Sequence, residues 1–216
     1  MKLKSFFKRL FLVEEIIERV ISPINGEILV FEDFLGNKSM RIGGVSQSGG
    51  LVLTIWKKAI TETKNLKLEI KNCLILGLGA GGSALLVDKK WPGIKIVGVE
   101  IDPLVVGIGQ KYFKLEQVSN LKIEITDAFK KKFETPFDLI LVDLYLGQSF
   151  PAQAEQKEFL EKIKKISKDK GVVIFNRFYW GKYKKQARNF EKILKNYFPK
   201  VWSKKTVSNL LIFCSH

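Results

Sequence analysis

The sequence predicts an α/β protein: a doubly wound, largely parallel sheet preceded by a small N-terminal helix and β hairpin. Three observations predict it. Short apolar runs at 73–76, 95–99, 137–142 and 171–175 are separated by segments of helical periodicity. Runs of that kind are strands buried on both faces, as in sheets flanked by helices. A glycine-rich stretch, Gly77-Leu78-Gly79-Ala80-Gly81-Gly82, ends the first run and opens a helix. Finally, segments 201–203 and 209–214 read as a closing antiparallel strand pair.

The elements follow in order. Phe6, Phe7, Leu10, Phe11, Val13, Ile17 and Val20 form a helical stripe, read as a helix packed on the domain, lying on a membrane surface or making a dimer contact. Lys2, Lys4, Lys8 and Arg9 resemble the start of a signal peptide, but Glu14, Glu15 and Glu18 follow and no small-residue cleavage site does. After the Ile24-Asn25-Gly26 turn, 27–31 and 38–42 read as a hairpin around 35–37. Glycine pairs bracket 45–48, which reads as a loop, and 51–63 as a helix with Leu51, Ile55, Trp56 and Ala59 inward. Beyond a break near residue 70 come strands at 73–76, 95–99, 121–125, 137–142 and 171–175. Helices are expected at 83–90, 103–113, 152–168 and 183–196. Two units are expected: 1–70, holding the helix, hairpin and linking helix, and 71–216, holding the main sheet.

Composition removes several classes of function. The 216 residues include two cysteines and one histidine, His216. These are too few for a disulfide framework, a zinc site or a histidine-based triad, so a metal-free protein of the reducing cytoplasm is expected. No apolar run reaches the roughly 18 residues of a spanning helix. The formal net charge is +15, which favours acidic partners.

The chemistry concentrates at strand ends. Glycines at 77, 79 and 81 let the chain turn sharply and approach a ligand closely, while the helix N-terminus supplies free N–H groups. The spacing fits the G-x-G-x-x-G dinucleotide pattern. Glu100 ends the second run, where a carboxylate accepts both hydroxyls of a ribose, in NAD and S-adenosylmethionine alike. Asp102 precedes Pro103 and reads either as a helix N-cap or as a ligand group. Asp127 ends the third strand, to accept from an adenine amino group or to cap a helix. Asp143 leaves the strongly apolar run at 137–142, at the crevice where such sheets bind ligands.

The glycine loop, Val99-Glu100-Ile101-Asp102-Pro103-Leu104-Val105-Val106 with Lys111-Tyr112-Phe113, Thr126-Asp127-Ala128 and Phe137-Asp138-Leu139-Ile140-Leu141-Val142-Asp143 together resemble the spermidine synthase-like branch of class I S-adenosylmethionine-dependent transferases. The similarity covers roughly residues 24 to 180. It implies a Rossmann-like sheet of the class I methyltransferase type behind a small N-terminal β unit. The cofactor implied is S-adenosylmethionine or its decarboxylated form. By position, Gly77, Gly79 and Gly81 would line its methionine side, Glu100 hold the ribose, Asp127 and Ala128 meet the adenine, and Gln47 contact the nucleoside. Asp143 matches the acid that accepts a proton from the attacking amine, with Tyr145 a further candidate.

Two departures shape the expected substrate. Polyamine-forming members carry Asp inside the glycine loop and a D-x-x-D pair after the fourth strand; here these positions are Ala80 and Leu146. A dicationic acceptor needs several carboxylates to offset its desolvation. Methyl transfer to a small-molecule amine or hydroxyl is therefore favoured over aminopropyl transfer. The other readings are an RNA methyltransferase, a non-catalytic nucleotide-binding module and a NAD-dependent dehydrogenase. Residues 151–205 hold 16 Lys+Arg against 5 Asp+Glu. That makes nucleic-acid contact through 157–205 an unfavoured option; a homodimer is a separate expectation. Phe178, Tyr179, Trp180 and Tyr183 could stack on a base or wall a pocket, with core packing or a hydrophobic lid the favoured role, and Arg177 could meet an anionic substrate group, a cofactor carboxylate or a structural ion-pair partner.

Overall fold

The computed structural model describes residues 14–147 and 149–216. The apolar stripe from Phe6 to Val13 lies outside them. Two sheets organise the chain. The first is antiparallel, in the order β1 (Glu14–Ser22), β2 (Gly26–Asp33), β3 (Lys38–Ile42) and β4 (Val45–Ser48). Helix α1 (Gly50–Asn65) leads to the second sheet. Its parallel part comprises β5 (Asn72–Leu76), β6 (Lys95–Glu100), β7 (Leu121–Ile125), β8 (Phe137–Val142) and β9 (Ser167–Phe178). The antiparallel pair β10 (Lys200–Lys205) and β11 (Asn209–Ser215) completes it, and the order is β10-β11-β9-β8-β5-β6-β7. Helices α2 (Gly82–Lys90), α3 (Pro103–Tyr112), α4 (Lys157–Lys165) and α5 (Tyr183–Leu194) connect these strands. This is a Rossmann-like sheet of the class I methyltransferase type, closed by the antiparallel pair that the sequence suggests.

The apolar runs are explained by the two faces they serve. Successive strand residues point to opposite sides. Cys73, Ile75, Leu139, Leu141, Val172, Ile174, Leu211 and Phe213 join a core with α1 and α2. Leu74, Leu76, Ile140, Val142, Val173, Phe175, Leu210 and Ile212 join another with α4 and α5. Each fully buried side chain of this kind contributes about 1.5–3 kcal/mol, so the central strands tolerate polarity only at their ends. On α4, Phe159, Leu160 and Ile163 face inward.

The N-terminal sheet packs its inner face, Ile28, Val30, Met40 and Ile42, against Ala80, Val105 and Ile108. It is therefore seated on α3 and on the glycine turn. Glu18 adds hydrogen bonds from Lys111 at 2.6 Å and from Tyr112.

Four sequence expectations are corrected. The helical stripe does not extend through Ile17 and Val20, because residues 14–22 are strand β1. An irregularity between Ile16 and Glu18 leaves Ile17 as an extra residue in the pairing with β2. A bulged strand shifts its alternation by one, so Ile17 and Val20 share a face at a helix-like spacing. Residues 45–48 are an edge strand rather than a loop, the glycine pairs forming its two ends. Leu51 is 45% exposed rather than inward. The helix expected over 152–168 is a 3-10 turn at Ala152–Glu155 followed by α4, and Ser167 already belongs to β9 through pairing with Phe137.

Candidate active site

The register of the parallel strands builds the site. Leu76 pairs with Val99 on one side and with Val142 on the other, and Val142 pairs with Phe175. The residues one step later, Glu100, Gly77, Asp143 and Asn176, therefore form one row along the carboxyl edge. The chain passes from β5 to β6 and β7 on one side and returns to β8 on the other. Ligands of open α/β sheets bind at such a switch point.

A cavity of about 260 Å3 lies over this row. Its floor is Gly77, Leu78, Gly79, Glu100 and Asp143; the 126–129 turn after β7 and the 144–147 turn after β8 form its sides. Its roof comes from β3, β4 and the start of α1. A second recess of about 160 Å3 lies against α1, the end of β9 and the β10–β11 turn. Gln47, Asp143 and Tyr145 line both spaces.

Eight of the ten residues singled out from sequence line the cavity: Gln47, Gly77, Gly79, Glu100, Asp127, Ala128, Asp143 and Tyr145. Gly81 and Asp102 do not. Gly81 caps the N-terminus of α2 with φ +87, and a side chain there would overlap Leu115. Asp102 is fully buried and accepts from Leu104 N–H at 3.0 Å, from Asn25 Nδ2 at 2.7 Å and from the Ser22 hydroxyl. It caps α3 and ties down the β1–β2 turn. The N-cap alternative describes its contacts.

Glu100 accepts from Gly79 N–H at 2.9 Å through one oxygen and from Ile101 and Asp102 N–H at 2.9 and 3.1 Å through the other. Burial raises its pKa, and these three N–H donors oppose the rise. Asp127 accepts from Phe129 N–H at 2.8 Å, so it closes the turn after β7. Lys162 of α4 donates to the carbonyls of Ala128 and Phe129 at 2.9 and 3.1 Å, holding that turn from outside; burial lowers its pKa. Gln47 donates to Gly147 O at 3.0 Å, linking β4 to the turn after β8.

Asp143 accepts from Trp56 Nε1 at 3.0 Å and from Asn176 Nδ2 at 2.8 Å. Burial raises its pKa to about 6, while both hydrogen bonds restrain the rise. Tyr145 is less suited to proton transfer. Its hydroxyl donates to Asn176 O at 3.1 Å and accepts from Phe178 N–H at 2.9 Å, and burial pushes its pKa upward. Arg177 pairs with Glu155 at 2.7 Å and lies against the Phe150 and Phe190 rings, so its contacts are structural. Phe178 packs on Tyr145 at 4.4 Å, and Trp180 on Tyr183 at 4.7 Å, forming one aromatic cluster beside the recess.

Sequence reasoning missed Trp56, Asn176 and Lys162. Trp56 and Lys162 were hidden in an apolar helix face and a basic cluster. Asn176 had a legible signal: a polar residue leaving an apolar strand.

Gly77 has φ +85, and a Cβ there would overlap the Asp143 carbonyl oxygen. Gly77→Ala is expected to lower unfolding free energy by roughly 2–4 kcal/mol. An unchanged urea midpoint would contradict the close approach of β5 and β8.

The profile of a methyltransferase-domain family matches residues 69–212. A Drosophila melanogaster eEF1A lysine and N-terminal methyltransferase homolog is 28% identical over 151 residues, covering 64% of this chain and 22% of its own. A Vibrio vulnificus polyamine aminopropyltransferase is 28% identical over 131 residues, covering 58% and 44%. The chain thus spans less than half the length of either relative. The crystal structure of spermidine synthase from Thermotoga maritima superposes with a TM-score of 0.77 at 22% identity, over 93% of this chain and 72% of that one. At that identity it speaks for the fold. Among the described residues, no helix is long and apolar enough to cross a membrane.

Proposed function

The chain belongs to the methyltransferase-domain family, and from that membership we propose that it transfers a methyl group from S-adenosylmethionine to an amine nitrogen. The cavity suits an adenosyl sulfonium. Glycines keep its floor open beside Gly79, Glu100 offers a carboxylate to a ribose, and the 126–129 turn offers a slot for adenine. In this reading Glu100 holds the ribose, Asp127 and Ala128 border the adenine, and Gln47 closes the roof. When bound, the cofactor supplies an electrophilic methyl carbon. Asp143, at the junction with the recess, accepts the hydrogen bond and then the proton of the incoming amine. Catalysis otherwise rests on alignment of the two reactants.

The observation that carries methyl over aminopropyl transfer is the acid inventory. Among the described residues, the acids lining the cavity are Glu100, Asp127 and Asp143, and the recess adds no other. With two assigned to the nucleoside, one remains for the acceptor. Ala80 is buried against apolar neighbours and Leu146 is half exposed, so neither replaces a lost carboxylate. The start of α2, without a side-chain cap, also lines the cavity at Gly82 and Ser83. Its free N–H groups favour a cofactor that keeps its carboxylate.

Both relatives' names describe chemistry on amines, one at protein lysine and N-terminal positions and one at polyamines. That supports an amine over a hydroxyl and leaves a protein amine beside a small-molecule one. Aminopropyl transfer is the second reading, favoured by the Vibrio relative. A thermal-shift comparison of S-adenosylmethionine, decarboxylated S-adenosylmethionine, methylthioadenosine and NAD separates them. The largest stabilisation is expected from S-adenosylmethionine; preference for the decarboxylated form would select the second reading, and preference for NAD would reject both. Lys162→Met, which frees the carbonyls of the 126–129 turn, is expected to weaken S-adenosylmethionine binding roughly threefold to tenfold. Calorimetry showing equal affinity would remove that turn from the adenine site.

A further inference from the structure

Asp143 is gripped from two sides. From α1, the Trp56 indole N–H reaches one carboxylate oxygen at 3.0 Å. From the end of β9, Asn176 Nδ2 reaches the other at 2.8 Å. Behind Asn176 the hydrogen bonds continue in one direction. Its carbonyl oxygen accepts from Asn209 Nδ2 at 2.8 Å, and the Asn209 carbonyl oxygen accepts from the Ser208 hydroxyl at 2.6 Å. Each amide thus has its carbonyl turned to the donor behind it and its N–H group turned towards Asp143.

Trp56, Asn176 and Asn209 are 1%, 4% and 2% exposed. Buried amides are retained at a cost unless satisfied, and here this donor chain ends on one carboxylate. The polarity of the chain matters. An indole N–H and an amide N–H can only donate. Protonation would leave one of these donors facing a hydroxyl oxygen, a poorer acceptor than a carboxylate oxygen, whereas the anion satisfies both donors fully. One donor on each oxygen also stops rotation of the carboxylate. Successive donors in such a chain polarise one another and strengthen the last bond.

We propose that Trp56 and the Ser208–Asn209–Asn176 chain are positioning residues that keep Asp143 ionised and rotationally locked at the junction of cavity and recess. The use of that carboxylate rests on the amine-transfer reading; the locking does not. Among the described residues, the other ionisable groups that line the cavity or the recess are Tyr145, Glu100 and Asp127. Tyr145 is occupied by Asn176 O and Phe178 N–H. Arg177, beyond Tyr145, is paired with Glu155. Glu100 and Asp127 line the same cavity on the β6 and β7 side.

The test follows the indole N–H signals of the full chain in 15N-labelled protein between about pH 4.5 and 8, the range that brackets a carboxylate shifted upward by burial. The chain has four tryptophans, and Trp56→Phe identifies the signal that belongs to Trp56. That signal is expected to titrate with a midpoint of about 6 and to become flat in Asp143→Asn. Asn176→Ala removes a donor from the anion, so the midpoint is expected to rise by about one pH unit. The acid limb of kcat/KM should rise with it while cofactor affinity holds. Asn209→Ala, one link further back, is expected to raise the midpoint by less, and it decides the matter if Asn176→Ala does not fold. A Trp56 signal that ignores pH in the wild type, or a midpoint unmoved in the folded variants, overturns the proposal. A signal that titrates and shifts as expected in a protein that methylates no amine keeps the clamp and rejects the functional reading.

Discussion

Asp143→Asn is expected to lower turnover by about 10²–10⁴-fold while S-adenosylmethionine affinity stays within about threefold. Asparagine has the same size, so the floor of the cavity is kept. Its amide oxygen can satisfy Trp56 or Asn176, but its NH2 then confronts the other donor, and it cannot take up a proton. Burial raises the Asp143 pKa to about 6. The acceptor form is therefore present above that pH and lost below it. The wild-type rate is expected to fall as pH drops through about 6, rather than through the value near 4 of an exposed aspartate. The residual activity of the asparagine variant should lack this limb. Full activity in Asp143→Asn would remove the carboxylate from the chemistry. A wild-type limb near 4 would instead show that burial does not govern it.

Glu100→Ala is expected to weaken S-adenosylmethionine binding by roughly tenfold or more, because the proposed reading gives Glu100 a paired, charge-assisted contact to the ribose. A second effect accompanies it. Glu100 is the acceptor for the N–H groups of Gly79, Ile101 and Asp102, so alanine also leaves three backbone donors unpaired and loosens the glycine turn. Glu100→Gln separates the two contributions. It keeps one carbonyl oxygen for the backbone and removes the charge, so it should restore much of the stability while affinity stays low. Affinity in calorimetry equal to the wild type in both variants would reject the ribose assignment. Low affinity in alanine alone would reduce Glu100 to a support for the loop.

Much of the main sheet was legible because its strands are buried on both faces. At 73–76 and 137–142 an uninterrupted apolar run leaves little choice of element, and the glycines after Leu76 mark where the chain must turn. The N-terminal unit was harder to read. Ile17 and Val20 lie three apart on a bulged strand, a spacing that imitates a helix, and only pairing with β2 distinguishes the two. At the other end of the sheet, Ser167 joins β9 because it pairs with Phe137, a partner thirty residues away in sequence. Asp102 shows the same limit within the site. Its position after Glu100 suited ligand binding and helix capping equally, and the contacts with Ser22 and Asn25 that occupy it come from a turn some eighty residues earlier.

The sequence by itself determined the α/β class, the position of the glycine turn and the acids at the ends of the parallel strands. These follow from local rules: alternation of faces, the need for polarity where a buried strand emerges, and the backbone freedom of glycine. Only the tertiary structure decided which of those acids meet. Strand order and register bring Glu100, Gly77, Asp143 and Asn176 into one row, and α1 brings Trp56 onto the same carboxylate. The physical reason is that a hydrogen bond or a desolvated charge depends on neighbours fixed by packing across the sheet, which no stretch of adjacent residues encodes.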